Sequence, residues 1–160
     1  MHDRIKLFAG GGCLWNPGKG AIGFIVCDKD GYELDRRYWC IGHSTNNRAT
    51  YESLIEGLEF IRRYTPGYVN CFLENKLVVN QAKGWWSVNN NELKWLLNRV
   101  NNNESYFVRV YYTLVKSTHP MILEVETGTQ WDLCNSSALF RHGSRNCEII
   151  KSRFKLHLKE

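Results

Sequence analysis

The change of hydrophobic period along the chain is the feature that most limits its fold. Residues 4–9, 21–28 and 33–42 read as strands, and the DKDG turn closes a tight hairpin between the last two. The next segment instead has apolar residues at helical spacing. These residues are Tyr51, Leu54, Ile55, Leu58 and Ile61. The pattern therefore predicts three antiparallel strands followed by a helix with one apolar face.

The rest of the chain alternates helices and strands. YVNCFLE at 68–74 predicts a fourth strand, and residues 77–82 and 91–101 predict two helices. Residues 106–115 are the stretch richest in residues that favour strands. The order β-β-β-α-β-α-α-β predicts an α/β fold, a mixed sheet with helices on its faces.

Composition excludes several classes of protein. A chain of 160 residues with 43% apolar residues fits one globular domain. No apolar run is long enough to span a membrane, and the first residues, MHDRIKLF, show no apolar leader. The six cysteines form no CxxC pair, which argues against a disulfide framework. We therefore expect an intracellular protein of a reducing compartment, cytoplasm or organelle interior, that is not secreted.

Basic residues are concentrated at the C-terminus. The formal charge is +5, and residues 141–160 hold six basic residues against two acidic ones. Here the sequence IIKSRFKLHLKE alternates apolar and basic residues and predicts an added strand. We expect its basic face to contact phosphates, and an edge strand kept soluble by its charges is the alternative. The basic residues predicted to bind nucleic acid are Lys151, Arg153, Lys155 and Lys159.

Four stretches, in this order and spacing, resemble the type 1 ribonuclease H family. They are CLWNPGKGAIGFIV, STNNRATYESLIEGLEFI, ENKLVVNQAKGWWSVNNNELKWL, and YYTLV followed by WDLCNSSAL. The resemblance covers about residues 5–140. It implies a ribonuclease H-like fold with a five-stranded mixed sheet, three antiparallel strands then parallel strands, flanked by helices. We accordingly predict a domain at 1–140 and a basic extension, with its extra strand, at 141–160.

The resemblance also implies a set of catalytic positions. The family cleaves the RNA strand of RNA/DNA hybrids with two Mg²⁺ or Mn²⁺ ions held by four carboxylates, the ligands that hard cations prefer. The match places these positions at Gly10, Thr50, Glu74 and Asp132. Asp132 follows the Leu and Ala spacing of the last motif, whereas a match without a gap would choose Glu124. Two of the four positions therefore lack a carboxylate.

This loss predicts that the chain is catalytically inactive and not an enzyme. Two remaining carboxylates are too few to hold two divalent cations, so we expect no cofactor beyond a single weakly held Mg²⁺. The interpretation is a structural or RNA-binding component of a ribonucleoprotein assembly, such as a divergent ribosome. Its expected partners are RNA and other proteins of that assembly, with no membrane and no small-molecule substrate.

Two alternatives stay open at this point. One is an active metal-dependent ribonuclease H with a rearranged metal site built from Glu74, Asp132 and either Glu124 or Asp3. The other is a protein-interaction module that never meets nucleic acid. Binding that weakens with salt would separate the last from the others, because phosphate contacts release counterions.

Binding residues survive better than catalytic ones in the comparison with the family. Asn46, Asn47 and Arg48 stand in its TNN loop, and Asn16 lies in the turn beside the groove. We expect these four to contact nucleic acid, with the holding of loop geometry as the alternative.

Tryptophan and histidine residues near these motifs are less informative. The adjacent tryptophans of KGWWS could stack on bases, but packing against the protein is favoured. His119 is interpreted as an ordinary loop histidine rather than a catalytic one.

Overall fold

A computed structural model describes residues 2–64 and 66–136, with side chains to residue 129. Five strands and four helices form the described part of the chain, together with a short 3₁₀ turn, Arg62–Tyr64, after the first helix. The strands are β1 Arg4–Cys13, β2 Gly18–Asp28, β3 Glu33–Ser44, β4 Tyr68–Leu73 and β5 Arg109–Leu114. The helices are α1 Asn46–Ile61, α2 Lys76–Ala82, α3 Asn91–Glu104 and α4 Pro120–Ser136.

The strands form one mixed sheet in the order β3-β2-β1-β4-β5. The first three strands are antiparallel neighbours, whereas β4 runs parallel to β1 and β5 parallel to β4. Strands that run in parallel need crossover connections, which α1 supplies from β3 to β4 and which α2 and α3 supply from β4 to β5. The predicted fold class is therefore confirmed. The carboxyl ends of β1 and β4 lie side by side at one end of the strands, where an α/β fold usually carries its ligand-binding site.

Two hydrophobic layers cover the sheet. On one face α1 packs across the strands, and its apolar side chains Tyr51, Leu54, Ile55 and Leu58 are fully buried. Thr45 begins this helix, since its Oγ1 accepts a hydrogen bond from the Arg48 backbone N–H at 3.2 Å. On the other face α4 packs over β1, β2 and β3.

The last helix extends further toward the N-terminus than the stretch WDLCNSSAL that predicted it. Pro120 occupies its first position, where the missing N–H costs nothing. Ile122 and Val125 bury their side chains against Phe8 and Ile25 of the sheet. The residues before the matched motif therefore form the part of α4 that packs on the sheet.

Some predictions fall on residues 137–160, outside the described residues. These include the basic extension at 141–160, its predicted strand, and the residues Lys151, Arg153, Lys155 and Lys159. Within the described ranges, the helices are too short or too polar to cross a membrane.

Candidate active-site cleft

A cleft of about 440 Å³ lies at the carboxyl ends of β1 and β4. Its walls come from these strand ends, from the start of α1 and from the first turns of α4. The lining residues are Ala9, Gly10, Gly11, Gly12, Asn46, Thr50, Glu74, Asn75, Ile122, Val125, Glu126 and Thr129. Three of the four predicted catalytic positions, Gly10, Thr50 and Glu74, therefore converge here.

The glycines of β1 bring the strand close to its neighbouring helices. A Cβ atom on Gly11 would lie 2.5 Å from the carbonyl oxygen of Ala49, so the backbones of β1 and α1 meet directly. A Cβ on Gly10 would lie 3.2 Å from Cγ1 of Val125. Gly11 is thus required by packing, whereas a side chain at Gly10 needs only a small shift of Val125.

The Thr50 side chain is buried and forms a hydrogen bond within its own helix, α1. That side chain is only 4% exposed, and its hydroxyl donates to the carbonyl oxygen of Asn46 at 2.9 Å. The hydroxyl oxygen of Thr50 also accepts a long hydrogen bond, 3.4 Å, from Nδ2 of Asn75. Both contacts are neutral, so this wall of the cleft has no negative charge at Thr50.

The opposite wall holds two carboxyl groups in contact. Glu74 follows the end of β4, and Glu126 lies one turn beyond Ile122 on α4. Glu74 lies close enough to Glu126 to act on its carboxyl group. Burial, together with the hydrogen bond and charge of Glu74, raises the pKa of Glu126 to about 8. Glu126 therefore keeps its proton near neutral pH.

Glu126 is the site residue that the sequence reasoning missed. It lies in the stripe of α4 that faces the sheet, with Ile122 and Val125 before it and Thr129 after it. That stripe is readable as positions i, i+3, i+4 and i+7 of a helix. A helix drawn from Pro120 onward would have placed Glu126 in the cleft.

Glu124 and Asp3, two candidates for a rearranged metal site, lie away from the cleft. Glu124 points away from the cleft, where its Oε2 accepts a hydrogen bond from Nη2 of Arg36 at 2.7 Å. The backbone oxygen of Asp3 binds the N–H groups of Gly67 and Tyr68, so Asp3 lies at the opposite edge of the sheet. Asp132 belongs to α4, but its side chain lies outside the described residues. A metal site that includes Glu124 or Asp3 is therefore wrong.

Four of the predicted nucleic-acid-binding residues, Asn16, Asn46, Asn47 and Arg48, lie in the described part of the chain, and Asn46 lines the cleft. Oδ1 of Asn46 accepts the Cys13 backbone N–H at 3.0 Å, and Oδ1 of Asn16 accepts the Asn46 backbone N–H at 3.1 Å. These contacts tie the turn after β1 to the start of α1, so both asparagines hold loop geometry. Nucleic-acid contact by the same residues remains a prediction.

Asn47 and Arg48 join the start of α1 to α2 and α3. Oδ1 of Asn47 accepts from Nδ2 of Asn75 at 2.9 Å. Arg48 pairs with Glu52 at 3.1 Å and with Glu92 at 2.8 Å. The charge of Arg48 is therefore largely balanced within the protein.

The adjacent tryptophans are on the surface, so the preference for packing is wrong. Trp85 is 71% exposed and Trp86 is 45% exposed. The ammonium of Lys83 lies 4.2 Å from the ring centre of Trp85, and that of Lys76 lies 5.8 Å from Trp86. Because Lys76 directly follows Asn75 of the cleft, this aromatic and basic surface continues from it.

His119 has a structural role in the described fold. Its Nδ1 accepts the backbone N–H of Met121 at 3.2 Å, and its ring packs 5.4 Å from that of Phe8. It caps the start of α4, as an ordinary loop histidine would.

The carboxylates of the cleft that the structure describes, Glu74 and Glu126, fit one divalent cation. Carboxylate oxygens are the ligands of hard cations, and Glu74 and Glu126 would supply them after Glu126 loses its proton. Within residues 2–64 and 66–129, His, Cys, Asp and Glu side chains form no group of three that could hold a metal ion. Gly10 and Thr50 supply no carboxylate for a second ion.

Comparison with known proteins gives a family match over most of the chain. The model of the reverse transcriptase-like family matches residues 8–119. Ribonuclease H of Wigglesworthia glossinidia brevipalpis is 35% identical over 106 residues, which are 66% of this chain and 62% of that protein. The bifunctional protein Rv2228c of Mycobacterium tuberculosis is 32% identical over 113 residues, 70% of this chain and 31% of that protein. The chain thus spans less than two thirds of the length of these relatives.

Solved structures share the fold. The N-terminal RNase H domain of rv2228c from Mycobacterium tuberculosis, fused to maltose binding protein, has a TM-score of 0.79 and 27% identity. That match covers 83% of this chain and 95% of the other. LC11-RNase H1, solved in complex with an RNA/DNA hybrid, has a TM-score of 0.77 and 23% identity, over 82% of this chain and 98% of its own.

These comparisons correct the predicted loss of activity. The prediction that the chain is not an enzyme is wrong, because relatives that match most of its length are named ribonucleases H. The prediction also rested on a count of carboxylates that omitted Glu126. None of the relatives described above is named as a ribosomal protein. The match over residues 8–119 and the shared architecture show that the chain belongs to the reverse transcriptase-like family, as a ribonuclease H-like member.

Proposed function

We propose that this chain is a metal-dependent nuclease that cleaves the RNA strand of RNA/DNA hybrids with one divalent cation held by Glu74 and Glu126. The observation that carries the proposal is the contact between these two carboxyl groups at the carboxyl ends of β1 and β4. A carboxyl group in a cleft whose pKa is strongly raised by burial and by a neighbouring acid is a common sign of a functional site.

The charge of the pair suits a single ion. Fully ionised, Glu74 and Glu126 carry two negative charges that balance one divalent cation. When bound, such an ion supplies positive charge to a scissile phosphate and lowers the pKa of its own water ligand. The proton of Glu126 must leave before the ion binds, so cation affinity should rise as the pH approaches about 8.

Other residues of the cleft would position the nucleic acid. Asn75 lies between the acidic pair and Asn47, and its amide reaches both Asn47 and Thr50. Asparagine amides at such a place can bind a ribose 2′-hydroxyl, which distinguishes RNA from DNA. Lys76 and Trp86, next along the surface, offer a cation and an exposed ring to the second strand.

The relatives support this substrate. Proteins 30–35% identical to this chain are named ribonuclease H, and LC11-RNase H1 was solved with a hybrid bound. The reading as a structural component of a ribonucleoprotein has no comparable support among them.

The test is cleavage of a labelled RNA/DNA hybrid in Mn²⁺ and in Mg²⁺ by the wild type and by Glu74→Gln and Glu126→Gln. Loss of an outer-shell partner of a metal site costs about 10- to 100-fold in activity, so loss of a direct ligand should cost about 100-fold or more. Glu124→Gln is the matched control, since it removes a carboxylate two residues away that faces Arg36. It should cleave at the wild-type rate.

Two results would overturn the proposal. One is a wild type that leaves the hybrid intact in both metals while its circular dichroism shows a folded protein. The other is undiminished cleavage by both glutamine variants. Duplex DNA and duplex RNA serve as substrates that should stay intact.

A further inference from the structure

We propose that the sheet carries a second nucleic-acid surface, on the open face of β4 and β5, that binds a single unpaired strand. This inference goes beyond the cleft and does not depend on its cleavage activity. The surface is defined by six residues on three adjacent strands and is called the open face below. They are Arg4 and Lys6 of β1, Tyr68 and Asn70 of β4, and Arg109 and Tyr111 of β5.

Strand register places these residues on one side of the sheet. Arg4 is paired with Tyr68 and Tyr68 with Arg109, while Lys6 is paired with Asn70 and Asn70 with Tyr111. The residues between them along each strand, among them Ile5, Val69 and Val110, belong to the core under α1. Because side chains alternate along a strand, the six residues share the opposite side.

Helix α4 covers only part of that side. It packs over β1, β2 and β3, and its first turns bury Phe8, which stacks on Phe72 at 4.8 Å. Toward the amino ends of β4 and β5 the side chains are accessible, with Arg109 exposed and Tyr111 38% exposed. The open face therefore begins where the α4 layer ends.

The cations and rings of the open face lie in contact with one another. The guanidinium of Arg4 lies 5.0 Å from the ring centre of Tyr68 and 6.0 Å from that of Tyr111. Arg109 lies 5.1 Å from the ring of Tyr111, and Nη1 of Arg4 donates to Oδ1 of Asn70 at 3.1 Å. Arg109 and Tyr111 are exposed, whereas Arg4, Lys6, Tyr68 and Asn70 are half-buried. Accessible rings and cations interleaved on a sheet are the usual platform for unpaired bases and their phosphates.

Charge complementarity selects the partner. The six positions hold three basic residues and no acidic one. In the described part of the chain, the ion pairs engage Arg36, Arg37, Arg48 and Arg99 rather than the cations of the open face. Residues 141–160 carry the same sign of charge, which disfavours them as the cover of this face. A polyanion is the complementary partner.

The geometry favours a single strand over a duplex. Stacking on Tyr68 and Tyr111 needs the flat side of a base, and a duplex keeps those sides stacked on neighbouring base pairs. The open face is three strands wide, or about 10 Å between outer strands, which suits one extended strand. The cleft, at the other end of β1 and β4, is left free for a hybrid.

The test measures binding of fluorescein-labelled 12-nucleotide oligouridine and oligothymidine to the full chain by fluorescence anisotropy. Variants Tyr111→Ala and Arg109→Ala remove one ring and one cation from the open face. Stacking on a single side chain contributes enough for a rise in Kd of about 5- to 100-fold in Tyr111→Ala. Arg109→Ala should lower the slope of log Kd against log salt by about 0.7. The RNA and DNA arms show whether the surface distinguishes the two.

Arg37→Ala is the matched control. Arg37 also lies over an aromatic ring, that of Phe60 at 5.0 Å, but on the opposite edge strand of the sheet. This variant should bind both oligonucleotides like the wild type. Trp85→Ala tests the surface beside the cleft.

Unchanged Kd in both open-face variants would overturn the inference, and so would loss of single-strand binding in Trp85→Ala alone. Thermal unfolding checks that the variants are folded. Tyr111→Leu keeps an apolar side chain but has no flat ring, so it should bind the oligonucleotides more weakly than the wild type, as Tyr111→Ala does. Hybrid cleavage should be unchanged in Arg109→Ala. If the wild type cleaves no hybrid yet binds single strands through Tyr111, the proposed function fails and this inference stands.

Discussion

The two walls of the cleft differ in charge and in the way they are held. The wall made by β1 and α1 is neutral, with Gly10, Gly11 and Thr50, and neutral hydrogen bonds fasten it. The wall made by β4 and α4 carries Glu74 and Glu126, and the pKa of Glu126 is raised by burial and by Glu74. One wall is therefore built for close packing, and the other places two acids in contact where burial raises the pKa of one of them.

This difference teaches that the carboxylates of the cleft must be counted on both walls. A family of two-ion enzymes distributes its carboxylates over both walls, as the resemblance implied. Here the neutral wall has lost its share, while α4 brings Glu126 against Glu74. Among the described side chains, these two carboxylates fit the single cation proposed above. Each of the following changes tests one wall against the other.

The largest effect is expected from filling the neutral wall at its tightest point. Gly11→Ala would place a Cβ 2.5 Å from the carbonyl oxygen of Ala49, and neither backbone can move without displacing β1 or α1. We expect the free energy of unfolding to fall by about 3 kcal/mol, the upper range for overpacking. Urea denaturation measures this. Gly12→Ala is the control, because its Cβ would meet Oδ1 of Asn46 at an ordinary 3.6 Å. Equal stability of the two variants would contradict the close contact.

A smaller effect is expected from titrating the acidic wall. The pKa of Glu126 is about 8 in the folded protein against an ordinary 4.5, so between these values the folded state binds a proton that the unfolded state has lost. Stability from this group is complete below pH 4.5 and is lost as the pH rises through 8. Because the carboxyl is half-buried, solvent screening limits the loss to about 1–2 kcal/mol.

Unfolding in urea at pH 5 and at pH 8.5, in a chelator, measures this loss. Glu126→Gln cannot titrate and should lack it, whereas Glu124→Gln should keep the wild-type pH dependence. A wild type whose pH dependence matches that of Glu126→Gln would show that the pKa of Glu126 is not raised in the folded protein.

Adding a charge to the neutral wall should strengthen cation binding. Gly10→Asp places a third carboxylate in the cleft, and its Cβ needs Val125 to move by a few tenths of an ångström. One added charge near a partly solvated site should lower the Kd of Mn²⁺ about tenfold. Isothermal titration calorimetry measures it, with Gly10→Asn as an uncharged control of similar shape. A Kd that is the same in both variants would place the cation away from β1.

The smallest effect is expected at the acid of α4 that faces away from the cleft. Glu124 and Arg36 form an ion pair whose side chains are about 40% exposed, and such pairs contribute less than about 1 kcal/mol. Glu124→Gln should therefore unfold near the wild-type urea concentration and bind Mn²⁺ equally well. A clear loss of Mn²⁺ affinity in Glu124→Gln would show that the cation responds to the total negative charge of α4 rather than to Glu126 alone.

Much of the site was predictable because it lies on elements with clear periods. The apolar stripe from Tyr51 to Ile61 predicted α1, and the strand before Glu74 predicted β4. The family resemblance assigned Thr50 and Glu74 to one site, and both line the same cleft. The exposure of Trp85 and Trp86 was not predictable, since an aromatic pair after a short helix packs inward as readily as outward. For Asn16 and Asn46 the sequence left two roles open, because the same amide can hold a loop or bind a ligand.

By itself the sequence determined the order of strands and helices and hence the mixed sheet, because hydrophobic period and turn chemistry are local properties. Only the tertiary structure decided which acid of α4 meets Glu74. Glu124 and Glu126 are two residues apart and so lie about 200° apart around a helix. The rotation of α4 on the sheet is set by the packing of Ile122 and Val125 against Phe8 and Ile25, a contact between segments far apart in the chain.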